Sequence, residues 1–130
     1  MKKATLEDLL ARKAQAMQDK MIIKDVDIPV LDMSVSVQKI PLSRVLNMID
    51  KYSDMDGLSS RFELYKELIY ACVPLFQNKQ LHEAYECADP LDIVPILFKQ
   101  NITAIGALGD EICTMYGIDN GNKVVDDLKN

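Results

Sequence analysis

Residues 22–40 read IIKDVDIPVLDMSVSVQKI, and the fold class turns on them. Before and after this stretch apolar side chains recur every third or fourth residue; here they recur every second. Ile22, Val26, Ile28 and Val30 fall on one face of an extended chain, with Lys24 interrupting that face. Met33, Val35 and Val37 then alternate with Ser34, Ser36 and Gln38. The spacing predicts a small antiparallel β-hairpin over residues 22–40, turning near Leu31 and Asp32. Pro29 has no amide hydrogen to give to a ladder, which predicts an edge position or a bulge. Two strands alone are marginally stable, so helices must cover them.

On the N-terminal side, Thr5 and Asp8 have the spacing of a capping box, and Leu6, Leu9, Leu10, Met17 and Met21 follow at helical steps. This predicts a helix over residues 6–20 whose other face carries Glu7, Arg12, Lys13, Gln15 and Gln18. The apolar stripe has two readings of equal weight. It packs on the hairpin, or it is an adaptable protein-binding face, which a methionine-rich segment suits. Leu6, Leu9, Leu10, Met17 and Met21 are the candidate binding residues on the second reading.

On the C-terminal side the helical period takes over across residues 41–117. Leu42, Val45, Leu46, Ile49 and Tyr52 form one stripe, and residues 54–60, DMDGLSS, form a turn. Ser60 and Glu63 have capping-box spacing ahead of Phe62, Tyr65, Ile69, Cys72 and Val73, and Pro74 stops that helix. Leu81 to Glu86 offers a short helix. Ile102, Ile105, Leu108, Ile112, Met115 and Tyr116 form a last stripe, ended by Gly117 as a left-handed cap. Between them lies YECADPLDIVPILF, residues 85–98, with prolines five residues apart. If Asp92 caps the helix, Pro95 occupies its third position, where no backbone donor is needed. Pro90 after Asp89 could instead open the helix, with Pro95 then in its second turn, where it removes a backbone bond. The expectation is a turn over 88–92 and a helix from about Ile93, or a kink if it starts earlier, with Ile93, Ile96 and Leu97 on the core and Cys87 buried beside them. The whole is read as one α+β domain over residues 1–118, mostly helical, with the hairpin packed on a bundle of about four to five helices. Residues 119–130 form a polar tail.

With 130 residues, 48% of them apolar, the chain can bury roughly two thirds of its unfolded surface. A net charge of −5 repels phosphate backbones and argues against nucleic acid as a partner. No apolar run reaches the ~20 residues of a membrane span, and the start, MKKATLEDLLARK, lacks the apolar stretch of a signal peptide. Cys72, Cys87 and Cys113 are odd in number and widely spaced, as suits small buried thiols in a reducing cytoplasm.

Catalytic chemistry is sparse. His82 and Glu86 share a helical face, but no HExxH or CxxC pattern supplies further metal ligands, so a solvated polar face is the better reading. His82 with Cys87 or Cys72 lacks the orienting group and oxyanion donors that a nucleophile pair requires. Gly106 and Gly109 lie inside a helical stripe and are read as close-packing positions rather than a phosphate loop. The DMDG run lacks the later acidic ligands of a calcium loop, and Asp89 and Asp92 are read as caps. No enzyme activity, metal or cofactor is expected.

The run KELIYACVPLFQNKQLHEAYECADPLDIV, residues 66–94, resembles the tail assembly chaperones of contractile-tailed phages and PBSX-type prophages of Gram-positive bacteria. The resemblance rests on Lys66 to Tyr70, Pro74-Leu75, Leu81 with Glu83 to Tyr85, and Pro90 with Asp92 to Val94. TLEDLLARKAQAMQDK, IPLSRVLNMID and the helix through Met115 to Gly117 stand in the same order as in that family. Pro95 departs from the pattern. The resemblance implies a cytoplasmic host-cell location and absence from the mature virion. It also implies binding of the tape measure protein, self-association, and in many such systems a longer frameshifted form of the same protein as a partner. The alternatives are a small virion structural protein or a protein-binding adaptor outside any phage.

Overall fold

The computed structural model describes residues 1–19, 23–54 and 57–118. The fold is α+β and mostly helical. Two strands, β1 (Ile23–Ile28) and β2 (Met33–Gln38), follow two short N-terminal helices, α1 (Leu6–Ala11) and α2 (Lys13–Asp19). Five helices complete the bundle: α3 (Leu42–Lys51), α4 (Leu58–Cys72), α5 (Lys79–Ala84), α6 (Ile93–Leu97) and α7 (Ile102–Met115).

The hairpin is antiparallel, with Val26 opposite Val35, Lys24 opposite Val37 and Ile28 opposite Met33. Alternation directs Val35, Val37 and Ile28 into the core, while Ser36 donates to Asp25 on the outer face at 2.8 Å. Pro29 is neither on an edge nor in a bulge. It opens a 3-10 helical turn, Pro29–Leu31, and Asp32 closes that turn in the left-handed region at φ 53°. The proline therefore sits where the ladder has already ended. As expected of a hairpin too small to stand alone, other elements cover the sheet: β1 packs on α7, and β2 packs on a second 3-10 turn, Pro74–Gln77.

α4 is the central element. Leu64, Tyr65, Leu68, Ile69 and Cys72 are all buried on it, each large apolar side chain contributing roughly 1.5–3 kcal/mol by leaving water. Its main neighbour is α7, and the two approach closely at Gly109, where a Cβ would enter the space of the Tyr65 ring. The close-packing expectation thus holds at Gly109. It fails at Gly106, where a Cβ would meet nothing within 4 Å.

α4 begins a turn earlier than the Ser60–Glu63 spacing predicts. Gly57, at φ 89°, occupies the N-cap, and the buried Ser60 hydroxyl donates back to the Gly57 carbonyl at 3.0 Å. Glu63 instead pairs with Lys66 at 2.9 Å. Met55 and Asp56 of the DMDG run lie outside the described residues.

The segment after Cys87 starts its helix at Ile93, as expected, with Pro95 third. The cap differs. Asp89 accepts from Leu91 N–H at 3.0 Å and opens a 3-10 turn, Pro90–Asp92, that runs directly into α6. Asp92 is itself helical and makes no capping bond. One extra turn rotates the buried face, so Ile93, Val94, Pro95 and Phe98 are core while Ile96 and Leu97 are half-buried. Cys87 is half-buried too, whereas Cys72 and Cys113 are buried.

α7 ends as its sequence predicts. Gly117 takes φ 76°, its N–H donates to Thr114, and Ile118 N–H donates to Cys113, both at 3.0 Å. This pairing satisfies the last carbonyls of the helix. Nearby, the Tyr116 hydroxyl both donates to the Ile40 carbonyl and accepts from the Ile40 N–H, each at 2.7 Å.

Candidate protein-binding site

The candidate site is built from the first nineteen residues. Thr5 is extended at φ −113° and ψ 166°, so its side chain faces the free amides of the first turn. Asp8 N–H donates to Thr5 Oγ1 at 3.2 Å, and Thr5 N–H donates to Asp8 Oδ2 at 3.1 Å. Lys2 adds an ion pair to Asp8 Oδ1 at 3.0 Å. The Lys2 ammonium, then the Thr5 N–H and hydroxyl, hold the Asp8 carboxyl below its ordinary pKa. A short helix is thus started by its own side chains, without help from the body of the protein.

Steps of three and four residues place Leu6, Leu9 and Leu10 on one face of α1. They remain 72%, 61% and 61% exposed, and α1 buries no residue at all. Of the two readings of the stripe, packing on the hairpin is not what α1 does. The expected continuous helix over 6–20 is broken. Arg12, at ψ 0°, donates to Leu9 at 3.3 Å before Ala16 resumes regular bonding to the Arg12 carbonyl at 2.9 Å. No residue of α1 is buried, so packing does little to hold the segment straight at that point. Met17 consequently lies on α2, 53% exposed, separate from the leucine cluster. Met21 lies outside the described residues.

Two apolar surfaces nearby are not readable from spacing. One, around Ile40, Pro41, Leu42, Met115 and Tyr116, lies next to Ala16 of α2. Leu42 and Leu46, expected in the packing stripe of α3, are exposed, and only Val45, Ile49 and Tyr52 of that stripe are buried. The second is a groove of about 700 Å³ between β1 and α7, with Val26, Ile28, Val30, Ala104, Ala107 and Leu108 among its apolar lining and Asn101 and Thr103 among its polar lining. Its charged lining residues, Asp27 and Glu111, are acidic. Glu111 is also the ion-pair partner of Lys24, the charge that interrupts the strand pattern. The elements forming these surfaces are some 70 residues or more apart in the chain, so no local signal marks them.

The residues weighed for chemistry have structural surroundings. His82 is not on a solvated face: its Nε2 lies 2.6 Å from the Phe76 carbonyl, and its ring stacks on Tyr70 at 5.9 Å between centroids. Among the described residues no three His, Cys, Asp or Glu side chains converge as a metal set. Burial pushes the Cys72 thiol up to about 11 and the Tyr116 hydroxyl up to about 12, away from nucleophilic reactivity at neutral pH. No single helix among the described residues is long and apolar enough to cross a membrane. Comparisons with protein-family models, curated proteins and solved structures find no match.

Proposed function

We propose that this chain is a non-catalytic phage tail assembly chaperone that binds the tape measure protein in the host cytoplasm. It keeps that protein soluble and supports tail tube assembly, and it is left out of the finished particle. One observation carries the reading: α1 is a self-capped amphipathic helix whose Leu6, Leu9 and Leu10 face is exposed, covered by nothing among the described residues. Such a face suits a long helical client with apolar stripes of its own. The resemblance over residues 66–94 supplies the identity of that client.

An acidic body adds solubility to the complex, and several copies along one client would turn weak contacts into avidity. A longer frameshifted form would carry the same α1 and compete for the same stripes. The direct test is co-expression of tape measure protein with wild type and with the Leu9→Lys, Leu10→Lys double variant. Loss of soluble tape measure recovery with the variant supports the reading, and unchanged recovery refutes it. Mass spectrometry of purified particles separates it from the virion-protein alternative, which requires the chain to be present there.

A further inference from the structure

We propose that α1 of one copy seats its Leu6, Leu9 and Leu10 face in the groove between β1 and α7 of a second copy, so that two copies exchange N-terminal arms. The inference rests on the reading of α1 as a binding face, and it names a partner that competes with the client for that face.

Three observations support this pairing. First, among the described residues nothing covers the leucine face of α1 or the groove, where Val26, Val30, Ala104 and Ala107 keep some exposure while Ile28 and Leu108 are buried. Second, the sizes agree. α1 is about 9 Å long, while the groove follows α7 from Asn101 to Glu111, about 15 Å at the same rise per residue. The small side chains of Ala104 and Ala107 line it on the α7 side. Third, the charges are complementary. Residues 1–13 hold four basic and two acidic side chains, whereas residues 14–130 hold eleven basic and eighteen acidic. The arm is cationic and the body anionic; on the groove itself Asp27 is acidic, while Glu111 is already paired with Lys24. That asymmetry selects a second copy of this chain over an arbitrary apolar helix. Reciprocal exchange closes as a two-fold dimer in which both arms are covered.

The test is light scattering on the full-length chain from about 1 to 500 µM, where a dimer of moderate affinity changes population. The expected mass rises with concentration from 14.7 kDa toward twice that value. Raising the salt should weaken association several-fold by screening the arm from the groove. The Leu9→Lys, Leu10→Lys variant and, separately, Ala107→Arg should each raise the dissociation constant by roughly 100-fold or more. All the altered residues are exposed, so circular dichroism should remain that of the wild type. Ala107→Arg leaves α1 intact and should capture tape measure protein at least as well as wild type.

A wild-type chain that remains monomeric throughout, or a dimer that survives either variant, overturns the proposal. The two readings fail separately. If Ala107→Arg breaks the dimer while the double lysine variant still captures client, arm exchange stands and the client site is wrong. If the double variant loses client but wild type never dimerises, only arm exchange is wrong.

Discussion

Gly109→Ala is expected to destabilise the protein although it replaces a helix-interior glycine by the best helix former. Propensity alone favours the change by about 1 kcal/mol. Against it, the new Cβ would overlap Cγ, Cδ2 and Cε2 of Tyr65. That ring cannot easily turn aside, because its hydroxyl is bonded to the Asp110 carboxylate and its body is buried against α7. Overpacking of this kind costs about 1–3 kcal/mol, so the net expectation is a loss of up to about 2 kcal/mol. Gly106→Ala is the matched control: it lies one turn away on the same helix, has nothing within 4 Å of its new Cβ, and should gain up to about 1 kcal/mol. Urea unfolding reads both as shifts of the midpoint in opposite directions at constant slope. In a Tyr65→Ala background, itself much less stable, Gly109→Ala should change sign and become stabilising. If both alanines move the midpoint the same way, or if removing the Tyr65 ring does not reverse the effect, close approach is not the reason for Gly109.

Tyr116→Phe removes both partners of the Ile40 backbone and should cost about 1–3 kcal/mol in chemical denaturation. Cys72 should make the protein sensitive to alkali. Its thiol rises from 9.0 to about 11 on folding because burial disfavours the thiolate, so its contribution is complete below pH 9 and is lost as pH climbs toward 11. About two pKa units correspond to roughly 2–3 kcal/mol, and Cys72→Ala should flatten the pH–stability curve in that window. Asp8 should act in the opposite sense and only locally. Its carboxyl is held below 3.8, so α1 helicity is supported above that value and lost as pH falls through the lowered pKa. Amide exchange of residues 6–11 should report this loss, and the global unfolding midpoint of Thr5→Ala should stay unchanged, because α1 buries nothing.

The sequence is informative where a local rule decides the structure. The two-residue period places both strands, Gly117 marks its helix end, and Thr5 with Asp8 marks a helix start. It fails where the outcome depends on what lies across the fold. Ser60 and Glu63 match a cap, yet Gly57 gives α4 another turn, and Ser60 is needed inside. Asp92 is as good a cap as Asp89 by composition, but Pro90 fixes the turn at Asp89. Leu42 and Leu46 share a stripe with Val45 and Ile49, and periodicity says only that they share it, not how far the covering helix reaches. Arg12 is an ordinary helix former, so the break beside it has no sequence mark. The leucine face was readable as a face, and its exposure required coordinates.

The Tyr116–Ile40 pair joins residues 76 positions apart. During synthesis the hairpin and α3 emerge with their inner side chains ready, but Ile40 has no phenol to bind until α7 has left the ribosome. Strand β2 must wait for the Pro74–Gln77 turn that packs on it, and β1 for α7. Folding is thus set to complete late, through contacts of high sequence separation, which are the slow ones to form. A nascent or truncated chain ending before residue 116 should expose its hairpin and be vulnerable to proteolysis there, while the side-chain cap of α1, made by Thr5 and Asp8 alone, is local and available as soon as those residues emerge.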